Sequence, residues 1–239
     1  DTLPDGSLRT SDAQGQPLAP DQIFVPGARI HYYRELADEP RIPFEATVLY
    51  QDEHLLVADK PHFLPVQPAG QQVHETLLTR LRESLNLPEL SPLHRIDRDT
   101  AGLVLFSVQQ RTRGLYQALF RERAIVKSYE ALAPWRSGLE FPRSHRSRLE
   151  ESPEGFRMQE VAGPPNSLTR MELLAQPSEG GIGHYRLWPV SGKRHQLRVH
   201  MAALGAPILG DHTYPALRER GDDDHARPLQ LLAQALHFE

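Results

Sequence analysis

Apolar residues along this chain fall into short blocks, and the spacing inside each block names the element. Thr47-Val48-Leu49-Tyr50 and Leu55-Leu56-Val57-Ala58 flank the polar Gln51-Asp52-Glu53-His54, the pattern of a β-hairpin. Leu77, Leu78, Leu81 and Leu85 recur at helical spacing and stop before Pro88, which predicts an amphipathic helix over 74–86. Leu103 to Val108 is a continuous apolar run suited to a buried strand. The segment 109–123 predicts a second helix with Leu115, Tyr116, Leu119 and Phe120 as its core stripe.

Further strands are predicted over 125–132, near 157–161, 168–174 and 184–188, and over 229–238. Leu197, Met201 and Leu204 at i, i+4 and i+7 predict a helix across 194–204, with a short strand and turn at 207–211. The stretch 134–156 reads as loop-rich and basic. Strands and helices intersperse without regular alternation, so the expected fold class is α+β: a mixed, largely antiparallel central sheet flanked by helices. Residues 1–40 are rich in Pro, Gly, Asp and Gln and show little periodicity, with a strand, a turn and another strand over 23–33. They are expected to form an N-terminal arm, and 41–239 the main domain.

Composition narrows the chemistry. The 239 residues include no cysteine, which excludes disulfides, thiolate metal sites and a cysteine nucleophile. No apolar run is long enough to cross a membrane and no signal-peptide pattern is legible, so a cytoplasmic, monomeric protein is expected. The net charge of -4 conceals segregation. Arg111, Arg113, Arg121, Arg123 and Lys127 gather against the lone Glu122, and Arg143, Arg146 and Arg148 form a second basic cluster. Acids collect instead at Glu150, Glu151 and Glu154 and at Asp222, Asp223 and Asp224. This leaves room for a basic face able to hold nucleic acid, although charge runs also serve as solvated surface. Arg121 and Arg123 equally suit the dipole at a helix C-terminus.

The densest chemistry lies in His94-Arg95-Ile96-Asp97-Arg98-Asp99-Thr100-Ala101-Gly102, a charged loop that turns at Gly102 into the apolar run. A polar loop pinned to a core strand can hold a reactive side chain in place. Read alone, the same residues suit a surface ion-pair cluster better. The nonapeptide resembles the signature of the RluA family of RNA pseudouridine synthases, His-Arg-Leu-Asp-Arg-x-Thr-Ser-Gly, with Ile96 and Ala101 as departures. Two more matches follow in the family's order: Lys127-Ser128-Tyr129-Glu130-Ala131 resembles Lys-x-Tyr-x-Ala, and Gly192-Lys193-Arg194-His195-Gln196-Leu197-Arg198-Val199-His200 resembles Gly-Arg-Thr-His-Gln-Ile-Arg-x-His. The similarity runs from about Val48 to Phe238. Residues 23–33 also bear a faint likeness to the end of an S4-type RNA-binding module.

The resemblance implies an isomerase that turns uridine into pseudouridine in ribosomal (23S) RNA or tRNA, with neither cofactor nor metal. It implies a catalytic cleft in which Asp97 is the catalytic carboxylate, Arg198 its partner and Tyr129 the ring stacked on the uracil. A carboxylate in a dry pocket needs such a partner, because burial alone disfavours the charge. By the same resemblance Arg95 is the arginine inserted where the target base has flipped out. His94, Arg98, Thr100 and Lys127 are expected to contact RNA, as are Arg194, His195 and Gln196 of the last motif. Two rival readings remain. One is an RNA-binding protein whose catalysis has lapsed, and the other a metal-dependent hydrolase or nuclease using His94, Asp97, Asp99 and His200. Against metal, His195 and His200 are five apart, not the four that aligns two imidazoles on one helix face.

Overall fold

The computed structural model describes residues 10–19, 21–23, 25–32, 39–70, 72–153, 155–175, 177, 180–217 and 223–238. Two compact units emerge, 1–39 and 40–239. In the first, β1 (Thr10–Asp12) pairs antiparallel with β2 (Ile30–Tyr32). The second half of the element expected over 23–33 is thus a strand, but its partner is Thr10–Asp12, and Ile23 and Val25 lie exposed outside any strand. Phe24 and Tyr33 of that expected element lie outside the described residues.

The described residues of the second unit build a ten-stranded sheet with three helices. In chain order these are β3 (Thr47–Gln51), β4 (Leu55–Lys60), α1 (Leu77–Leu85), β5 (Ser91–Pro92), β6 (Ala101–Ser107) and α2 (Gln110–Arg121). There follow β7 (Val126–Pro134), β8 (Arg143–Glu151), β9 (Met158–Val161), β10 (Ser167–Ala175), β11 (Ile182–Pro189), α3 (Gln196–Ala203) and β12 (Leu231–His237). The sheet order is β3-β4-β6-β12-β7-β11-β10-β8-β9, with β5 added beside β6. All pairs are antiparallel except β6–β12, so the mixed, largely antiparallel α+β sheet is present.

The parallel β6–β12 pair joins two halves, each with its own core. One core packs Leu56, Ala58, Leu77, Leu81, Val104 and Phe106; the other packs Ala131, Tyr185, Leu187, Leu197, Met201 and Leu231. Burial of such side chains contributes roughly 1.5–3 kcal/mol each before conformational entropy is counted. Gly102 makes the join possible. At φ +111 its hydrogen faces Ala233, where a Cβ would lie 2.3 Å from the carbonyl oxygen. Only glycine allows that approach at that backbone angle.

Three expectations need correction, and one short strand is added. The loop-rich stretch 134–156 contains β8, nine residues of strand. Its inward side offers little apolar pattern: Leu149 is buried, while Ser147 is held by Ser167 and His200 through hydrogen bonds. Backbone pairing with β10 and β9 stabilises it. The charged loop is preceded by β5, whose two residues extend β6's pairing. The strand expected at 207–211 is a turn, tied through Leu209, which donates to the Leu132 carbonyl at 2.9 Å and accepts from Gln230 at 2.8 Å. Finally, α2 buries no residue fully, and Leu115 of its expected stripe is 72% exposed. The helix leans on the sheet through Phe120, which stacks on His94 with ring centroids 4.8 Å apart.

Candidate active site

The charged loop between β5 and β6 is gripped by the backbone and side chains of the first half. Leu93 donates to the Leu105 carbonyl at 2.9 Å, and Leu105 donates back to His94 Nε2 at 3.1 Å. Burial holds His94 down to about 3, so it stays neutral and can accept that bond. Thr100 donates to the Asp97 carbonyl at 3.1 Å, closing a turn around residues 97–100. Beneath the loop lies Lys60, wholly buried at the end of β4. Its ammonium donates to the carbonyls of Pro61 and Leu64 at 2.8 Å each and of Arg98 at 2.9 Å. Burial presses its pKa down to about 7, against the pull of Asp99 and Asp97. A His62 ring nitrogen meets the Asp99 carbonyl at 2.7 Å.

From the second half comes α3, whose Arg198 is 3% exposed. Its Nη1 donates to Asp97 Oδ2 at 3.2 Å. Its Nε and Nη2 both donate to Asp211 at 2.8 Å, a two-pronged bond that fixes the guanidinium plane. Asp211 in turn accepts the backbone N–H groups of Thr213 at 2.8 Å and Tyr214 at 3.0 Å. Burial alone would lower the Arg198 pKa, but the bond and charge of Asp211, with Asp97 and Asp99 beyond, raise it. Buried Arg198 therefore carries a permanent charge, and the fork leaves one arm for Asp97.

His195 sits in the left-handed backbone region just before α3 at φ 53, with Nε2 4.0 Å from Asp97 Oδ2. Its Nδ1 is 2.9 Å from the Tyr214 hydroxyl, which also accepts from Met158 N–H at 2.7 Å. The Tyr214 ring packs under the Arg198 guanidinium at 5.4 Å. Burial lowers the His195 pKa although Asp97 opposes it. On β7, Tyr129 packs against both cores. Burial first, then the Asp97 charge, raises the pKa of its hydroxyl, which keeps its proton.

These groups border a cavity of about 460 Å³, lined among others by Arg95, Asp97, Tyr129, Lys127, His195 and Arg198. It joins residues from three sequence motifs separated by about a hundred positions. Thr100 and Gln196 also border it. Gln196 uses both ends of its amide internally, accepting from Ser191 Oγ at 2.8 Å and donating to the Leu168 carbonyl at 3.0 Å. It braces the wall. His94 shows the same inward use of its ring. Arg95 is exposed at the cavity rim and makes no ion pair among the described residues.

Two expected RNA contacts fall elsewhere. Arg98 turns away from the cavity to pair with Asp99 at 3.1 Å and with Asp223, and lies over the Phe63 ring. Arg194 reaches to Glu151 at 2.8 Å and to the Gly155 carbonyl at 3.1 Å, tying α3 to the β8–β9 turn. In both, the local acids outcompete the cavity. The acidic run continues through Asp224, while Asp222 lies outside the described residues. The sequence reading missed Lys60, Asp211 and Tyr214. Asp211 was visible as a lone acid after Gly210, where a Cβ would lie 2.2 Å from the Pro228 carbonyl oxygen; that tight turn marks a fixed position.

His94, Asp97, Asp99 and His200, the set the hydrolase reading needs, do not converge. His200 lies with His145 and Glu160, the one cluster of three ligand-type atoms within 4.8 Å among the described residues. Its own ring nitrogens meet Thr169 Oγ1 at 2.8 Å and Ser167 Oγ at 3.0 Å. What remains at the cavity is a single carboxylate, Asp97, paired with a fixed cation in a wall that also holds Tyr129.

Comparison with known proteins gives the family of the chain. Residues 54–203 match the family model described as RNA pseudouridylate synthase. The chain is 33% identical over 171 residues to the dual-specificity RNA pseudouridine synthase RluA of Haemophilus influenzae, covering 70% of this chain and 76% of that protein. Identity to the tRNA pseudouridine synthase C of Yersinia pestis is 29% over 212 residues, covering 80% of this chain and 79% of that protein. The solved structure of human RNA pseudouridylate synthase domain containing 1 superimposes with a TM-score of 0.65 at 26% identity, covering 83% of this chain and 80% of that one. The chain belongs to the RNA pseudouridylate synthase family: it is an RluA-type pseudouridine synthase, an isomerase.

Proposed function

We propose that this protein isomerises a specific uridine in structured ribosomal (23S) RNA or tRNA, with Asp97 as the catalytic carboxylate. The observation that supports this reading best is the 3.2 Å pairing of Asp97 with Arg198 at the cavity wall, with Arg198 itself anchored on Asp211. The reaction breaks the N1–C1′ bond, turns the uracil in place, forms C5–C1′ and moves the C5 proton away while N1 gains one. No atom is gained and no electrons leave the substrate, so the residues present suffice. Three routes are open to Asp97: attack at C1′, attack at C6, or removal of a ribose proton. All three place the Asp97 carboxylate beside the Arg198 guanidinium, which can stabilise charge that develops there.

Tyr129 offers its ring to the uracil. Its raised pKa argues against a phenolate base, so any part in C5 deprotonation passes a proton on through a neutral hydroxyl. Arg95, exposed at the rim, fits the space a flipped nucleotide leaves, and the target must flip to reach a carboxylate set in a cavity.

The decisive experiment compares the wild-type chain and Asp97→Asn on unmodified ribosomal RNA and tRNA transcripts, reading pseudouridine formation and RNA binding separately. The variant is expected to bind RNA and form no product; turnover by Asp97→Asn sinks the assignment. Wild-type binding without turnover on any transcript favours the lapsed enzyme instead. Loss of wild-type activity with EDTA favours the hydrolase.

A further inference from the structure

Beside the catalytic cavity lies a second one of about 670 Å³, walled by the start of β7, the start of β8, the middle of β10 and the end of β11. Arg123, Ile125, Lys127, Pro189 and Val190 border both cavities, so the two are parts of one groove. Trp188 is the aromatic residue in its wall. It is half-buried, packs into neither core, and pairs directly with Arg170 across β10–β11. Arg170 is itself opposite Ser144 on β8, so these three side chains form a row across neighbouring strands.

Four cations border this space: Arg123, Lys127, Arg143 and Arg170, against the one acid Glu172. None of the four makes an ion pair among the described residues. Elsewhere in the molecule the arginines beside acids are paired, as Arg98, Arg186 and Arg194 show. Arg143 Nε is buried and has no hydrogen-bond partner. A buried guanidinium donor left open costs stability unless something outside the chain accepts from it. Apart from Ser144 the rest of the wall is apolar, including Val126, Met171 and Pro142. An aromatic face, an apolar floor and unpaired cations are together what a nucleotide requires: stacking for its base and charge for its phosphate.

Resting on the synthase reading above, we propose that this second cavity seats the nucleotide adjoining the flipped uridine, its base on Trp188 and its phosphate among Arg143, Arg170 and Lys127. The occupant is a neighbouring unit of the same RNA strand, because the groove is continuous with the catalytic cavity and Lys127 borders both. This subsite reads the flanking nucleotide by stacking, so it binds the strand around the target and takes no part in bond making.

The chain has two tryptophans, so Trp135→Phe leaves Trp188 as the sole reporter in an otherwise intact protein. Titrating it with a single-stranded uridine pentamer, followed by RNA anisotropy and tryptophan emission, is expected to quench Trp188 with the same midpoint as binding. A pentamer with one abasic neighbour beside the central uridine should bind with that quenching lost. On a transcript that the enzyme modifies, Trp188→Ala should raise KM about tenfold with kcat nearly unchanged. Asp97→Asn, in the Trp135→Phe background, should keep the quenching while abolishing turnover. Pentamer binding without quenching, or an unchanged KM in a folded Trp188→Ala protein, overturns the subsite and leaves the synthase reading standing. Absence of both RNA binding and wild-type turnover overturns the synthase reading and the subsite with it. Should Trp188→Ala not fold, the quenching experiment still decides.

Discussion

Two buried cations hold the charged loop from opposite sides, and they do so with different partners. Lys60, from the first half, donates to three backbone carbonyls, one of them that of Arg98 within the loop. Arg198, from the second half, bonds two carboxylates, Asp211 and Asp97. Neutral dipoles can fix where a backbone runs, but they add no net negative charge to hold the cation charged. Burial therefore presses Lys60 down to about 7 despite the pull of Asp99 and Asp97, whereas at Arg198 the bond and charge of Asp211 outweigh burial and raise the pKa. The first half sets the loop's shape and the second half sets the electrostatics of Asp97. Tyr129, packed against both cores, stands on the seam.

If that division is right, substitutions on the two sides should separate activity from stability. The largest effect is expected at Arg198→Lys, which keeps a positive charge but loses the planar fork. We expect kcat to fall by about a hundredfold or more, since one preorganised donor to developing charge is worth that much. Near-normal turnover would dissolve the distinction. Next comes Asp211→Asn, which leaves Arg198 charged but poorly anchored. It should cost about tenfold in kcat and about 2 kcal/mol of stability in a urea melt, the smaller end for a disturbed buried pair. An Asp211→Asn protein as active as wild type shows that Asp97 alone orients the guanidinium.

On the other side, Lys60→Met should act mainly on stability. Three carbonyls lose their donor, offset in part by removing a buried charge, for a net loss of about 2 kcal/mol. kcat of the folded fraction should fall only a few-fold; a collapse as deep as that of Arg198→Lys would mean Lys60 also sets the Asp97 charge. The smallest effect concerns His200, buried and neutral in the second half, with its pKa lowered to about 3. The unfolded chain takes up a proton there as pH drops below about 6.5 and the folded chain does not, so stability contributed at neutral pH is lost as pH falls from about 6.5 towards 3. Relative to His200→Gln, the wild type should lose about 1 kcal/mol between about pH 7.5 and about pH 5.5. A constant difference across that range would mean His200 takes the proton in the folded state.

Much of this was legible beforehand where local chemistry and fold agree. The hairpin at 47–60, α1 and β6 follow from apolar spacing, and Gly102 marked the turn out of the loop. β8 was hidden because its strand is held by serines, a histidine and backbone pairing in place of apolar alternation. Arg98 and Arg194 looked like neighbours of the cavity because they adjoin motif residues, yet a one-residue step in a turn or at a helix start reverses the side chain's direction. Lys60 and Asp211 looked like ordinary turn residues because their partners are distant in sequence or are backbone groups.

The sequence by itself determined most of the elements, the three motifs and hence the family, since spacing and residue type are written along the chain. Tertiary structure alone decided which charges share a cavity, because that depends on β12 inserting between β6 and β7 and carrying α3's half against the loop. A carboxylate's electrostatic surroundings come from groups within a few ångströms, and here those groups lie up to about a hundred residues apart, at a distance no local pattern encodes.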